Sequence, residues 1–101
     1  PKRWVVVRPR RASSDDGGGR AETGILLAQA DGDAQRAAVG KQMAGRVGFF
    51  LRVDDFDATY ARMVAAGVTF AGAPRTEAYG RVVVFVDIAG NRWDLLGPPA
   101  S

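Results

Sequence analysis

The chain has 101 residues, 47% of them hydrophobic, and a formal net charge of +3, enough for one compact domain rather than two. It contains neither cysteine nor histidine, which excludes disulfides, thiolate chemistry and cysteine zinc sites and removes the commonest metal ligand and general base. No apolar run approaches the roughly 18 residues of a membrane span, so no membrane partner is expected, and the composition fits a cytoplasmic protein.

The basic surplus comes early: Lys2, Arg3, Arg8, Arg10, Arg11 and Arg20 face only Asp15 and Asp16. Such an arm is one footprint of nucleic-acid binding. Here it lacks aromatic interleaving beyond Trp4 and accompanies no nucleic-acid module. It reads as a solvated edge and loop, with nucleic acid not an expected partner. "KRWVVVRP" is a strand, β-branched and closed by Pro9. The stretch over 9–22 is a glycine-rich loop. Its "GGG" at 17–19 is no phosphate loop, because no lysine-serine/threonine pair follows. "TGILLAQA" is a second strand, antiparallel to the first. Residues 31–45 form a linker with a helical turn around Ala34–Val39.

From residue 46 the pattern sharpens. "RVGFFLRV" alternates, with Val47, Phe49, Leu51 and Val53 on one face and Gly48, Phe50 and Arg52 on the other. "DDFDATYARMVAAG" is a helix: Asp54 or Asp55 caps it, Phe56, Tyr60, Met63 and Val64 form its apolar side, and Gly67 ends it. Capping also explains the carboxylate cluster of Asp54, Asp55 and Asp57; a calcium loop needs more oxygen ligands. "VTFAGAP" is a strand, "RTEAYG" a turn, "RVVVFVD" a strand, "IAGN" a tight turn and "RWDLLGP" the last strand. Asp87, Gly90 and Asn91 are turn-formers.

Residues 46–97 therefore form a β-α-β-β-β unit, and the fold class is α+β. Pairing Asp87 with Arg92 across the last turn puts Val82, Val84, Val86, Trp93 and Leu95 against the helix. It leaves Val83, Phe85, Arg92, Asp94 and Leu96 on the other side. That second, mixed set has the composition of a ligand cavity.

The stretches "GRVGFFLRVDDFDATYARMVAAGV" and "EAYGRVVVFVDIAGNRWDLL", with their spacing, resemble the vicinal oxygen chelate superfamily, also called the glyoxalase/bleomycin resistance protein/dioxygenase family. The resemblance covers residues 45–97 well and residues 2–30 more weakly. It implies a complete βαβββ module over 46–97, a tail at 98–101, and two strands of a partial first module in 1–30. The first module's opening strand, helix and one further strand then lie outside the sequence. The resemblance also implies a U-shaped cavity between two modules and, in metal-dependent members, ligands on the first and last strands of each. The family's last-strand glutamate falls at Asp94. Its first-strand histidine falls near Gly48, which has no side chain to offer. A small sheet left uncovered implies a homodimer, by strand or module exchange.

The cavity candidates are Phe50, Arg52, Tyr79, Phe85, Arg92 and Asp94. Phe50 and Phe85 line either the cavity or the core; Trp93 belongs to the helix-facing core. Tyr79 borders the cavity mouth or packs at a hairpin edge. Asp94 is a metal ligand, the ion-pair partner of Arg52 on an adjacent parallel strand, or a solvated strand aspartate. No cofactor is expected from this chain alone, with a divalent metal as the alternative. Three functions follow. The first is a small-molecule binder without a complete metal site. The second is a metal-dependent lyase, isomerase or ring-cleaving dioxygenase completed by missing residues or a partner chain. The third is a non-catalytic dimerisation domain. The residues leave open whether the chain is an enzyme.

Overall fold

Short runs of Val, Ile and Phe become strands once each finds a hydrogen-bonded neighbour. In the computed structural model, which describes residues 4–8 and 24–99, they do so in two sheets. The glycine-rich loop and most of the basic arm lie outside the described residues. β1 (Val5–Val7) and β2 (Ile25–Leu27) pair antiparallel, with Val6 opposite Leu26, in a sheet of their own. A short helix, α1 (Asp33–Ala38), coincides closely with the expected helical turn. There follow β3 (Val47–Arg52), α2 (Phe56–Ala65), β4 (Thr69–Phe70), β5 (Arg75–Glu77), β6 (Gly80–Val86) and β7 (Arg92–Gly97). The second sheet runs β3-β7-β6-β4, with β5 also on β6. The fold is α+β, and no helix among the described residues is long and apolar enough to cross a membrane.

β3 and β7 are parallel neighbours, as expected, while β6 and β7 form an antiparallel hairpin. The middle strand of the βαβββ unit is broken. β4 pairs with the end of β6 and β5 with its start. Between them lie residues 71–74, where Pro74 supplies no ladder donor. The expected turn over 75–80 thus shrinks to Ala78 and Tyr79, and Arg75–Glu77 continues the edge strand.

Asp55 caps α2 by accepting the Ala58 N–H at 3.1 Å. Phe56, Tyr60 and Met63 then face the sheet and pack with Leu51, Val83, Phe85, Trp93 and Leu95. Val64, expected on this side, is exposed. Aromatic contacts knit the core: Trp93 stacks on Phe49 at 4.6 Å and on Phe85 at 5.6 Å, and Tyr60 meets Phe70 edge-on at 4.9 Å.

The β6–β7 register differs from expectation by one residue. Val86, not Asp87, stands opposite Arg92, and Phe85 stands opposite Trp93. A one-residue slip exchanges the faces of a strand. Val83 and Phe85 therefore join the helix-facing core, and Val82, Val84 and Val86 move to the other side. Asp87 causes the difference. Its carboxylate folds over the turn instead of extending the ladder.

Candidate functional site

Away from the helix, the sheet presents Phe50 and Arg52 from β3, Arg92, Asp94 and Leu96 from β7, and the alternate valines of β6. Residues two apart on a strand share a face, and so do residues paired across strands. Asp94 is registered beside Phe50, and Arg52 beside Leu96. Val82 and Leu96 stand opposite each other and are buried. Toward the β3 edge the face opens: Phe50 is 68% exposed, Arg52 and Arg92 are exposed, and Asp94 is half-buried. The two arginines bracket Phe50. One lies about 7 Å along β3 and the other a similar step the opposite way along β7, from the strand rise.

Four of the six cavity candidates, Phe50, Arg52, Arg92 and Asp94, thus share one face. Phe85 does not. It is buried between Trp93 and the helix-side core, as the register requires. Tyr79 sits exposed at the tip of the β5–β6 hairpin, across the sheet from β3. There, Glu77 first and Tyr79 to a lesser degree hold the Arg75 guanidinium above its ordinary pKa.

The expected Arg52–Asp94 ion pair does not form. The ion pairs among the described residues are Arg36–Asp33, Arg75–Glu77 and Arg81–Asp57. Asp94 stands beside Phe50 and meets Arg52 only on the diagonal. An exposed guanidinium gains little by giving up its hydration for so short a side chain.

Sequence reasoning missed two contacts. The first is Met43, from the linker, whose side chain lies over Gly48. A Cβ on Gly48 would sit 2.8 Å from Met43 Sδ and 3.0 Å from Cε. β3 carries a register shift at this point, between Val47 and Phe49. No periodicity could have announced the contact, because Met43 belongs to no strand. The second is the Asp87 anchor. One carboxylate oxygen accepts the N–H groups of Ala89 at 3.0 Å and Asn91 at 2.9 Å, and the other accepts Trp93 Nε1 at 2.9 Å. Partial burial alone would raise the Asp87 pKa. The bonds from Trp93, Asn91 and Ala89 outweigh it and hold the carboxyl below its ordinary value. Trp93 is thereby fixed on the helix side, and Asp94 is turned to the opposite face.

Two shallow clefts lie elsewhere. One, of about 340 Å³, is lined by Asp54, Asp55, Asp57, Phe56, Arg81 and the two prolines after β7. The other, of about 380 Å³, lies between the end of α2 and the β6–β7 turn. In the first, Arg81 stacks 4.7 Å over the Phe56 ring and pairs with Asp57, so its charge is already engaged in fixing the helix start.

The family model described as Glyoxalase/Bleomycin resistance protein/Dioxygenase superfamily matches residues 5–95. The chain belongs to this superfamily. An uncharacterized protein of Shewanella frigidimarina (strain NCIMB 400) is 43% identical over 95 residues, which are 94% of this chain and 64% of that protein. The chain thus spans less than two thirds of that relative's length. The crystal structure of UcmS2 superposes with a TM-score of 0.69 at 29% identity, covering 92% of this chain and 68% of that one. TnmS3, an antibiotic binding protein from Streptomyces sp. CB03234, superposes with a TM-score of 0.56 at 25% identity, covering 96% of this chain and 75% of that one.

Many members of the superfamily hold a divalent metal, and the residues of this chain do not fit one. Gly48 has no donor, and Met43 fills the space that a side chain there would take. Asp94 remains as one carboxylate, beside Phe50. Among the described residues no three His, Cys, Asp or Glu side chains are grouped closely enough to hold an ion.

Proposed function

We propose that this superfamily chain binds a small molecule on the sheet face of Phe50, Arg52, Arg92 and Asp94, without a metal of its own and without converting what it binds. The observation that carries this reading is the pairing of an exposed aromatic ring with vacated metal chemistry. Phe50 offers an open stacking surface, while Met43 covers the position of the family's first-strand ligand. TnmS3, a structural neighbour described as an antibiotic binding protein, supports a binding role.

The face is covered by a second copy of the chain. β1 and β2 form a two-stranded sheet, which is marginal by itself in water, and they leave Trp4, Val7, Leu26 and Leu27 exposed. Residues 46–97 act as the complete module and β1 and β2 as part of another, so exchange between copies closes both sheets and walls the cavity.

Native mass spectrometry with and without Ni²⁺, Zn²⁺, Mn²⁺ and Fe²⁺, followed by ligand-observed NMR with aromatic fragments, tests this reading. A metal-free dimer whose fragment binding is lost in Phe50→Ala is the expected result. One stoichiometric metal per cavity would overturn it in favour of a metal-dependent lyase, isomerase or dioxygenase. A dimer that binds no fragment would leave a dimerisation domain.

A further inference from the structure

The charges around Phe50 specify the ligand further. We infer that the face takes a planar aromatic anion, stacked on Phe50 with its acidic group toward Arg52 or Arg92. The inference rests on the binding role proposed above and names the ligand class of that same face.

Phe50 stands in the middle of a strand and is 68% exposed. Its ring is open to solvent on a face whose apolar residues Val82 and Leu96 are buried. A phenyl face selects flat, polarisable partners, which stack on it offset or edge-on. The two arginines flank the ring on opposite sides along the strands, and both are exposed. Among the described residues neither has a carboxylate partner. Each offers planar, bidentate donors, the geometry that carboxylate and sulfonate oxygens match.

Asp94 is the opposing charge on this face. By register it stands beside Phe50, two residues along β7 from Arg92 and diagonal to Arg52, and among the described residues it forms an ion pair with neither. It repels an anion lying over the ring centre and leaves the two arginine ends as the favoured positions. The face therefore orients a ligand: ring on Phe50, acid at one end. Arg81 lies on the helix side with Asp57, and Arg75 is held by Glu77 at the far edge.

The test measures binding of 2-naphthoate, 2-naphthamide and cyclohexanecarboxylate to the full chain by isothermal titration. The amide keeps the ring and loses the charge; the third compound keeps the charge and loses the flat ring. 2-Naphthoate should bind about ten-fold tighter than either. Of Arg52→Gln and Arg92→Gln, the one that removes the guanidinium at the acidic end should weaken naphthoate by about three- to ten-fold, the worth of one unit charge near 7 Å at the surface. Neither should move the amide. Asp94→Asn should tighten naphthoate by a similar factor. Phe50→Ala should abolish binding of both naphthyl compounds, and Phe50→Tyr, which keeps an aromatic ring, should retain it. Circular dichroism confirms that each variant is folded.

Equal binding of naphthoate and naphthamide, unchanged by the arginine variants, would overturn the anion inference while leaving the binding role intact. Naphthoate binding indifferent to Phe50→Ala would place the ligand elsewhere and overturn it as well. No binding by any of the three would count against the inference and the binding role together.

Discussion

Replacing Asp87 by alanine should destabilise the chain by about 2–4 kcal/mol. The carboxylate accepts three hydrogen bonds of 2.9–3.0 Å, two from the turn backbone and one from the Trp93 indole. A hydrogen bond to a charged group is worth about 1.5–3 kcal/mol, and a half-buried donor left unpaired costs about 1–3 kcal/mol. Ala89 is exposed and recovers water, so the full sum is not reached. For a chain of this size the loss corresponds to a fall in Tm of about 10–20 °C. Asp87→Asn keeps one acceptor oxygen and should lose about half as much. The same bonds hold the Asp87 carboxyl below its ordinary pKa against the effect of burial. The folded value is depressed, so the stabilisation is complete above the unfolded value of about 3.9. It is lost as pH falls through the folded value. The wild type should therefore weaken below about pH 4, and Asp87→Asn should lack that part of the acid limb. Urea denaturation across pH, at constant protein concentration, measures both. An alanine variant within about 0.5 kcal/mol of wild type, or parallel acid limbs in Asp87→Asn and wild type, would refute the reasoning.

Phe50→Ala should leave stability within about 0.5 kcal/mol, because the ring is exposed, whereas Phe85→Ala should lose about 3–5 kcal/mol; chemical denaturation of the pair checks the face assignment. Gly80→Ala should prevent normal folding: φ is +136° and the new Cβ would run into the Gly97 carbonyl, an outcome visible in soluble yield and far-UV circular dichroism. Arg81→Ala should cost about 1–2 kcal/mol, mostly by uncovering Phe56, while Asp57→Ala, at an exposed carboxylate, should cost less than about 1 kcal/mol. Gly48→Ala and Met43→Ala should be coupled in a double-mutant cycle, because the added Cβ meets the Met43 side chain and finds room once that side chain is cut back. Additive losses would mean that Met43 does not cover the strand.

Much of the candidate face was legible in the residues. Alternation in "RVGFFLRV" separated Phe50 and Arg52 from Leu51 and Val53, and a parallel β3–β7 neighbourhood brought Arg92 and Asp94 beside them. Helix α2 declared itself by its capping aspartate and by Phe56, Tyr60 and Met63 at helical spacing. The β6 side was harder to read, because "VVVFV" is apolar on both faces and carries no alternation to fix its parity. Its assignment hung on the turn, where Asp87 could extend the ladder or fold over it. Only the closed turn, with the Trp93 indole bonded back to Asp87, decided between them. That bond put Phe85 in the core.

By itself, then, the sequence determined the element order, the missing histidine and cysteine chemistry, and which β3 residues look away from the helix, because local periodicity and composition carry that information. The tertiary structure decided the β6–β7 register, the broken edge strand, the Met43 cover over Gly48, and the separation of Arg52 from Asp94. Each of these depends on contacts between segments whose spacing in the chain says nothing about their distance in space.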